Sequence, residues 1–312
     1  MSGSMFKSQP GGAGVATRHV LFALVVAASV GAFWKPLARL VALCIQGDSY
    51  SHILLIPFIV LFLVWTEKSA IFREVHFSSL AGLPVMLVGI ATCWFGEPDS
   101  YSSGAGERLS AVILGLVVTW IGAFLLIYGF RAARSALFPG LFLLLMVPLP
   151  DAILSHVIAA LQRGSVDVSL LLFKMCGVPV LRRGVLLSVP GVTIEVAKEC
   201  SSIRSSMALL ITCVLAARFY LRSFWKQVFF VALSLPLSVI KNGIRITTLT
   251  LLSLYVNPSF LHGDLHRDGG FVFFFLALVI LWPILGALHR SEARPAELKA
   301  GEIHPSSEPI RG

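Results

Sequence analysis

"LSAVILGLVVTWIGAFLLIYGF", Leu109 to Phe130, carries no charged side chain from end to end. A helix rises about 1.5 Å per residue and the hydrocarbon core of a bilayer is about 30 Å thick, so a crossing takes about 20 apolar residues. This stretch reaches that length. Outward from it, apolar runs recur at about Arg18–Trp34, Ile53–Trp65, Leu80–Phe95, Leu137–Val147, Ile203–Phe219, Gln227–Leu254 and Gly270–Leu288. The composition agrees: 56% of residues are hydrophobic and 13% charged, against about 25% charged in soluble domains. The predicted fold class is an all-α polytopic membrane protein with about eight transmembrane helices.

The basic residues sit in short clusters between the runs. Lys7 and Arg18 precede the first, Lys68 and Arg73 follow the second, and Arg131 and Arg134 follow the fourth. Arg218, Arg222 and Lys226 follow the sixth, and Arg290 and Arg294 follow the last. Alternating spans put all of these on one side, and an excess of Lys and Arg marks the cytoplasm. The net charge of +9 belongs to those loops, which excludes a nucleic-acid face. The opposite side receives the acidic loop "GEPDSYSSGAGER" and the section from Pro148 to Cys200. Three segments follow: a Gly- and Ser-rich disordered tail over 1–17, one integral membrane domain over 18–290, and a disordered cytoplasmic tail over 291–312. The first run is read as a retained helix, because no A-x-A cleavage site precedes Phe33.

The section between Pro148 and Cys200 does not read as a simple crossing. In "DAILSHVIAALQRGSVDVSLLLFKM", Asp151–Met175, the spacing places His156, Arg163, Asp167 and Lys174 on one stripe of a helix. An extracytoplasmic interfacial helix is expected there. Next, "VPVLRRGVLLSVPGVTIEVAKE" holds β-branched runs on either side of Pro190-Gly191, a turn signal, so a small hairpin follows.

Three polar groups need an explanation, because charge in a membrane span is costly. Cys200 and Arg204 are i and i+4 at the start of a helix, with Ser201 and Ser202 available as caps. A helix N-terminus and a nearby cation lower a thiol pKa and populate the nucleophilic thiolate. The plainer reading is a structural cysteine with Arg204 reaching to the interface, and this stretch leaves both open. In "IKNGIRI", Lys241 and Arg245 are again i and i+4, and Asn242-Gly243 signals a break in the helix. In "HGDLHRDGGF", His262 and His266 lie four apart, but the glycines argue for a loop and no third ligand follows. No CxxC or CxxH spacing occurs among Cys44, Cys93, Cys176, Cys200 and Cys213, so no metal site and no cofactor are expected. A thiol, a guanidinium and an imidazole are what thiolate attack on a carbonyl requires.

These residues resemble a known family. "DSYSHILLIPFIVLFLVW" from Asp48, "FPGLFLLLMVPLP", the Gly177-Val178-Pro179-Val180 stretch, "EVAKECSSIRS", "NGIR" and His266 with Gly270-Phe271 behind it occur in the order seen in the exosortase/archaeosortase family of membrane-embedded cysteine transpeptidases. The resemblance covers roughly Asp48 to Phe274. It implies Cys200 as nucleophile, Arg245 as catalytic arginine and His266 as catalytic histidine, with Arg204, Asn242, His52 and Tyr50 in supporting or substrate-binding positions. It further implies a multi-pass protein of the bacterial cytoplasmic (inner) membrane with its site facing outward. Its substrates would be exported proteins that carry a PEP-CTERM-like sorting signal: a short motif, a hydrophobic helix and a basic tail. Membrane lipid and exopolysaccharide machinery are the other implied partners. Where the family commonly has Gly after Cys-Ser, this chain has Ser202, a departure that bears on substrate preference. The competing reading is a non-enzymatic transporter or exopolysaccharide assembly subunit, whose polar residues would line a path across the bilayer. Here they gather near one face.

Overall fold

The structure, a computed structural model, describes residues 12–46, 50–96, 105–196, 203–257 and 270–301. Among these, seven helices are long and apolar enough to cross a membrane: Gly14–Ala32, Ser79–Gly96, Gly106–Tyr128, Asp151–Met175, Ile203–Tyr220, Phe224–Tyr255 and Gly270–Glu292. The bent pair Trp34–Gln46 and Ser51–Thr66 makes an eighth if it counts as one span. The chain is an all-α polytopic membrane protein, as its uncharged runs predict. Its contacts divide it into two compact units, Met1–Leu154 and Ser155–Gly312.

The first unit holds α1 (Gly12–Ala32), α2 (Trp34–Gln46), a 3-10 turn (Ser51–Leu55), α3 (Ile56–Thr66) and α4 (Lys68–Ile71). The long pair α5 (Ser79–Gly96) and α6 (Ala105–Tyr128) follows, then α7 (Phe130–Ser135) and α8 (Leu137–Leu143). Glycine joins α5 to α6. Gly82, Gly89 and Gly96 recur every seventh residue and form one stripe, which meets Leu126, Gly115 with Thr119, and Val112 of α6. A Cβ on Gly89 would stand 2.5 Å from the Thr119 backbone nitrogen. Lipid tails are as apolar as leucine, so helices in a bilayer gain from close backbone approach rather than from hydrophobic exclusion.

The last four carbonyls of a helix have no partners within it. At the end of α6 each is taken. Gly129, at φ 89°, gives its N–H to Leu125, Ser78 gives its N–H to Leu126, the Arg18 guanidinium donates to Ile127, and the His76 N–H to Tyr128. Arg18 thus lies at the C-terminal end of α6, and just beyond it Arg131 pairs with Glu74.

Helix α9 (Asp151–Met175) runs from the first unit into the second. It exposes His156, Arg163, Asp167 and Lys174, as the stripe predicts, and buries Ser165, Val166, Ser169 and Phe173. It ends at Gly177, φ 71°, where the Gly177 and Val178 N–H groups return to the carbonyls of Lys174 and Phe173, the Schellman pattern. Three antiparallel strands follow, β1 (Leu181–Arg183), β2 (Leu186–Val189) and β3 (Val192–Glu195), in the order β1-β2-β3. Pro190-Gly191 makes the second turn as expected, with Val189 opposite Val192 and Gly191 at φ 84°, the geometry of a type II turn. The first turn, at Gly184 with φ 64°, adds a strand to the expected hairpin. Leu187 and Val189 bury against Val166, Phe173 and Ile246, so the sheet lies on the apolar side of α9.

Beyond the sheet come α10 (Ile203–Tyr220), α11 (Phe224–Ala232), α12 (Ser234–Tyr255) and α13 (Gly270–Gly301). Pro236 has no N–H for the Ala232 carbonyl, and α11 gives way to α12 at Leu233. Other boundaries differ from the sequence reading. Leu137–Met146 is too short to cross as a helix, whereas Asp151–Met175 reaches span length with a mean hydropathy of 1.2, the lowest of the seven because of its polar stripe. Helix α2 is an addition, and α1 begins at Gly12, inside the stretch assigned to a tail.

Candidate active site

Helices α10, α12 and α13 share a core built from Leu209, Cys213, Ala217, Leu237, Ala277 and Leu281. At one end, His289 of α13 donates from Nδ1 to the Tyr220 carbonyl of α10 at 2.7 Å. There too the Glu292 carboxylate accepts the Arg222 and Ser223 N–H groups at 2.8 and 2.9 Å. Ile203 and Gly270 lie back along α10 and α13 by about 26 and 28 Å. The two helices therefore run parallel and begin at the same end, opposite the basic cluster of Arg218, Arg222, Lys226 and Arg290.

Helix α12 presents its polar face at that starting end. Lys241 is 3% exposed and donates from Nζ to Ser205 Oγ, in the first turn of α10, at 2.5 Å. Asn242 is 1% exposed and donates from Nδ2 to Ser165 Oγ of α9 at 2.9 Å. Ser169 Oγ adds a bond to the Gly243 carbonyl at 3.2 Å. The expected helix break at Asn242-Gly243 is not there: α12 is continuous from Ser234 to Tyr255. Gly243 serves packing instead, since a Cβ on it would stand 2.5 Å from Val168 Cγ1 of α9. Arg245, half-buried, lies one turn beyond Lys241 on the same face.

Cys200 and His266 lie outside the described residues. Arg204 is exposed in the first turn of α10, beside Ser205. The second unit thus brings together the starts of α10 and α13 and the Lys241–Arg245 stretch of α12. Tyr50 and His52 belong to the first unit. The Tyr50 hydroxyl donates to the Leu149 carbonyl at 3.4 Å, and Asp151 stands against Gly106 at the N-terminal end of α6, so this corner is the end of α6 away from its basic cluster. His52, in the 3-10 turn, has its Nδ1 buried without a hydrogen-bond partner among the described residues. Cys93 and Cys213, both 1% exposed, are the small hydrophobes that their apolar surroundings predict.

The sequence singles out Lys241 but gives no place in the site to Ser205, Ser165 and Ser169. Ser165 and Ser169, four residues apart, gave a signal, because small polar residues at that spacing mark where another helix approaches. Nothing in the sequence said that the approaching residues were Asn242 and Gly243.

No curated protein and no solved structure matches the chain. One family model, described as transmembrane exosortase (Exosortase_EpsH), matches residues 42–283. That span takes in each candidate site residue from Tyr50 to His266, most of both units, and the starts of α10, α12 and α13. The chain belongs to the transmembrane exosortase family.

Proposed function

We propose that the protein is a membrane cysteine peptidase or transpeptidase that cleaves a C-terminal sorting signal from exported proteins at the extracytoplasmic face. His266 takes the proton from the Cys200 thiol, and the thiolate attacks the scissile carbonyl. Arg245 faces the oxyanion that forms. As the carbon–nitrogen bond breaks, His266 returns the proton to the departing amine and a thioester remains on Cys200. Water or an acceptor amine then attacks the thioester and regenerates the thiol.

The observation that carries this reading is the Lys241–Ser205 contact, which sets the first turn of α10 against the stretch of α12 holding Arg245. Chain length keeps Cys200, three residues before Ile203, within about 11 Å of it. His266 is four residues before Gly270, within about 14 Å of the start of α13. Chain length therefore allows Cys200 and His266 to reach the end of the unit that holds Arg245, which supports the reading. The excess of Lys and Arg on cytoplasmic loops supports an outward-facing site.

The test is co-expression with candidate signal-bearing proteins and mass spectrometry of their new C-termini. Wild type should yield one defined terminus, extended by an adduct if the reaction is transfer. Cys200→Ala should yield none while accumulating normally in the membrane. Full processing by Cys200→Ala removes it as nucleophile, and equal loss with Cys213→Ala means a folding effect.

A further inference from the structure

A cavity of about 1100 Å³ opens in the first unit between α1, α3, α6, α7 and α8. Its walls are apolar over most of their extent, with Val26, Leu61, Phe124 and Leu141 among them. Polar groups gather at one end. There His19 and Tyr128 satisfy each other at 2.7 Å, while Lys68 and Arg134, both exposed, turn cationic heads to the mouth. Among the described residues neither takes part in an ion pair, and the Lys68 ammonium lies 5.3 Å from the centre of the Trp65 ring. Trp120, also in the wall, gives its N–H to Ser29 at 2.8 Å.

The depth of the cavity limits what fills it. Along α3 it runs from Pro57 to Trp65, about 12 Å, and along α6 from Trp120 to Tyr128, also about 12 Å. A bilayer core is about 30 Å thick, so the cavity occupies one leaflet, on the side of the basic residues at the end of α6. A transmembrane helix is about 30 Å long, more than twice the depth of the cavity. We propose that the cavity binds one anionic phospholipid of that leaflet, with acyl chains between α1, α3, α6 and α8 and its phosphate on Lys68 and Arg134. The chemistry is complementary throughout: an apolar space one leaflet deep, with two cations at headgroup level that form no ion pair among the described residues.

The test uses the full-length protein in nanodiscs containing equal amounts of phosphatidylglycerol and phosphatidylcholine, with retained lipid read by native mass spectrometry. One phosphatidylglycerol per chain is expected. Gly140→Phe, at a wall position where a Cβ meets nothing within 4 Å, fills the space and should expel lipid of either kind. Lys68→Gln combined with Arg134→Gln changes only exposed side chains and should lower the preference for phosphatidylglycerol roughly 30-fold. Equal retention of the two lipids by wild type overturns the proposal, as does retention that Gly140→Phe leaves unchanged. Displacement of the lipid by an equimolar apolar 20-residue peptide would show a helix site instead.

Discussion

Replacing Asn242 by alanine should loosen α12 from α9, and a double-mutant cycle with Ser165→Ala should show the two side chains acting as a pair. Both are 1% exposed and 2.9 Å apart. A buried polar group stranded by loss of its partner costs about 1–3 kcal/mol. The Ser165 hydroxyl can turn to the carbonyl four residues behind it, which puts Asn242→Ala in the lower half of that range, about 1–2 kcal/mol. Interhelical hydrogen bonds inside a membrane protein couple by about 0.6 kcal/mol on average and at most about 1.7. Full burial and good geometry place this pair toward the upper figure. Reversible unfolding in mixed micelles of wild type, both single variants and the double variant measures the coupling. Losses that simply add, within about 0.3–0.5 kcal/mol, refute the tie. Signal processing per folded molecule should then change little in Ser165→Ala; a large fall at unchanged stability would put this pair in contact with substrate.

Gly89→Leu should destabilise the α5–α6 pair by about 1–3 kcal/mol or more, because its side chain enters where the Thr119 nitrogen stands; an unchanged melting temperature in detergent would refute that. Arg182→Ala removes an ion pair with Asp167 whose side chains are 33% and 60% exposed, and unfolding should register under about 1 kcal/mol. Arg245→Lys keeps the charge but loses the planar fork of donors, so thioester formation should slow by about 10²–10³ in a folded protein; acylation at the normal rate would leave Arg245 a membrane anchor. A membrane-impermeant thiol reagent applied to spheroplasts should label Cys200 in preference to the buried Cys93 and Cys213, and labelling only after lysis would overturn the proposed orientation.

The long helices were legible because a bilayer imposes a length and forbids charge, and both are properties of the sequence alone. Helix α2 was not, since Lys35 and Arg39 interrupt its apolar character. The turn at Pro190-Gly191 announced itself by proline, whereas Gly184 follows Arg182-Arg183 with no such mark. Small residues were the least legible. The heptad of Gly82, Gly89 and Gly96 was in plain view, but which helix a glycine stripe accepts depends on tertiary packing. Gly243 reads as a breaker for the same reason: a glycine that admits Val168 and a glycine that ends a helix look alike in one dimension. In the site, the spacing of Lys241 and Arg245 was readable and the Ser205 partner was not, because sequence separation does not say which helices are neighbours.

What the packing adds to that spacing is a sign of charge. Lys241 and Arg245 stand one turn apart on one face of α12, where like charges repel. The Ser205 contact fixes Lys241 at the start of α10, where the helix dipole also presents its positive end and Arg204 adds a further cation. A negative charge placed there gains from all of these at once, and a positive one is repelled by all of them. Cation transport through that end is therefore disfavoured. In the proposed acyl transfer the thiolate and the oxyanion are both anions, and a field of this sign would favour both.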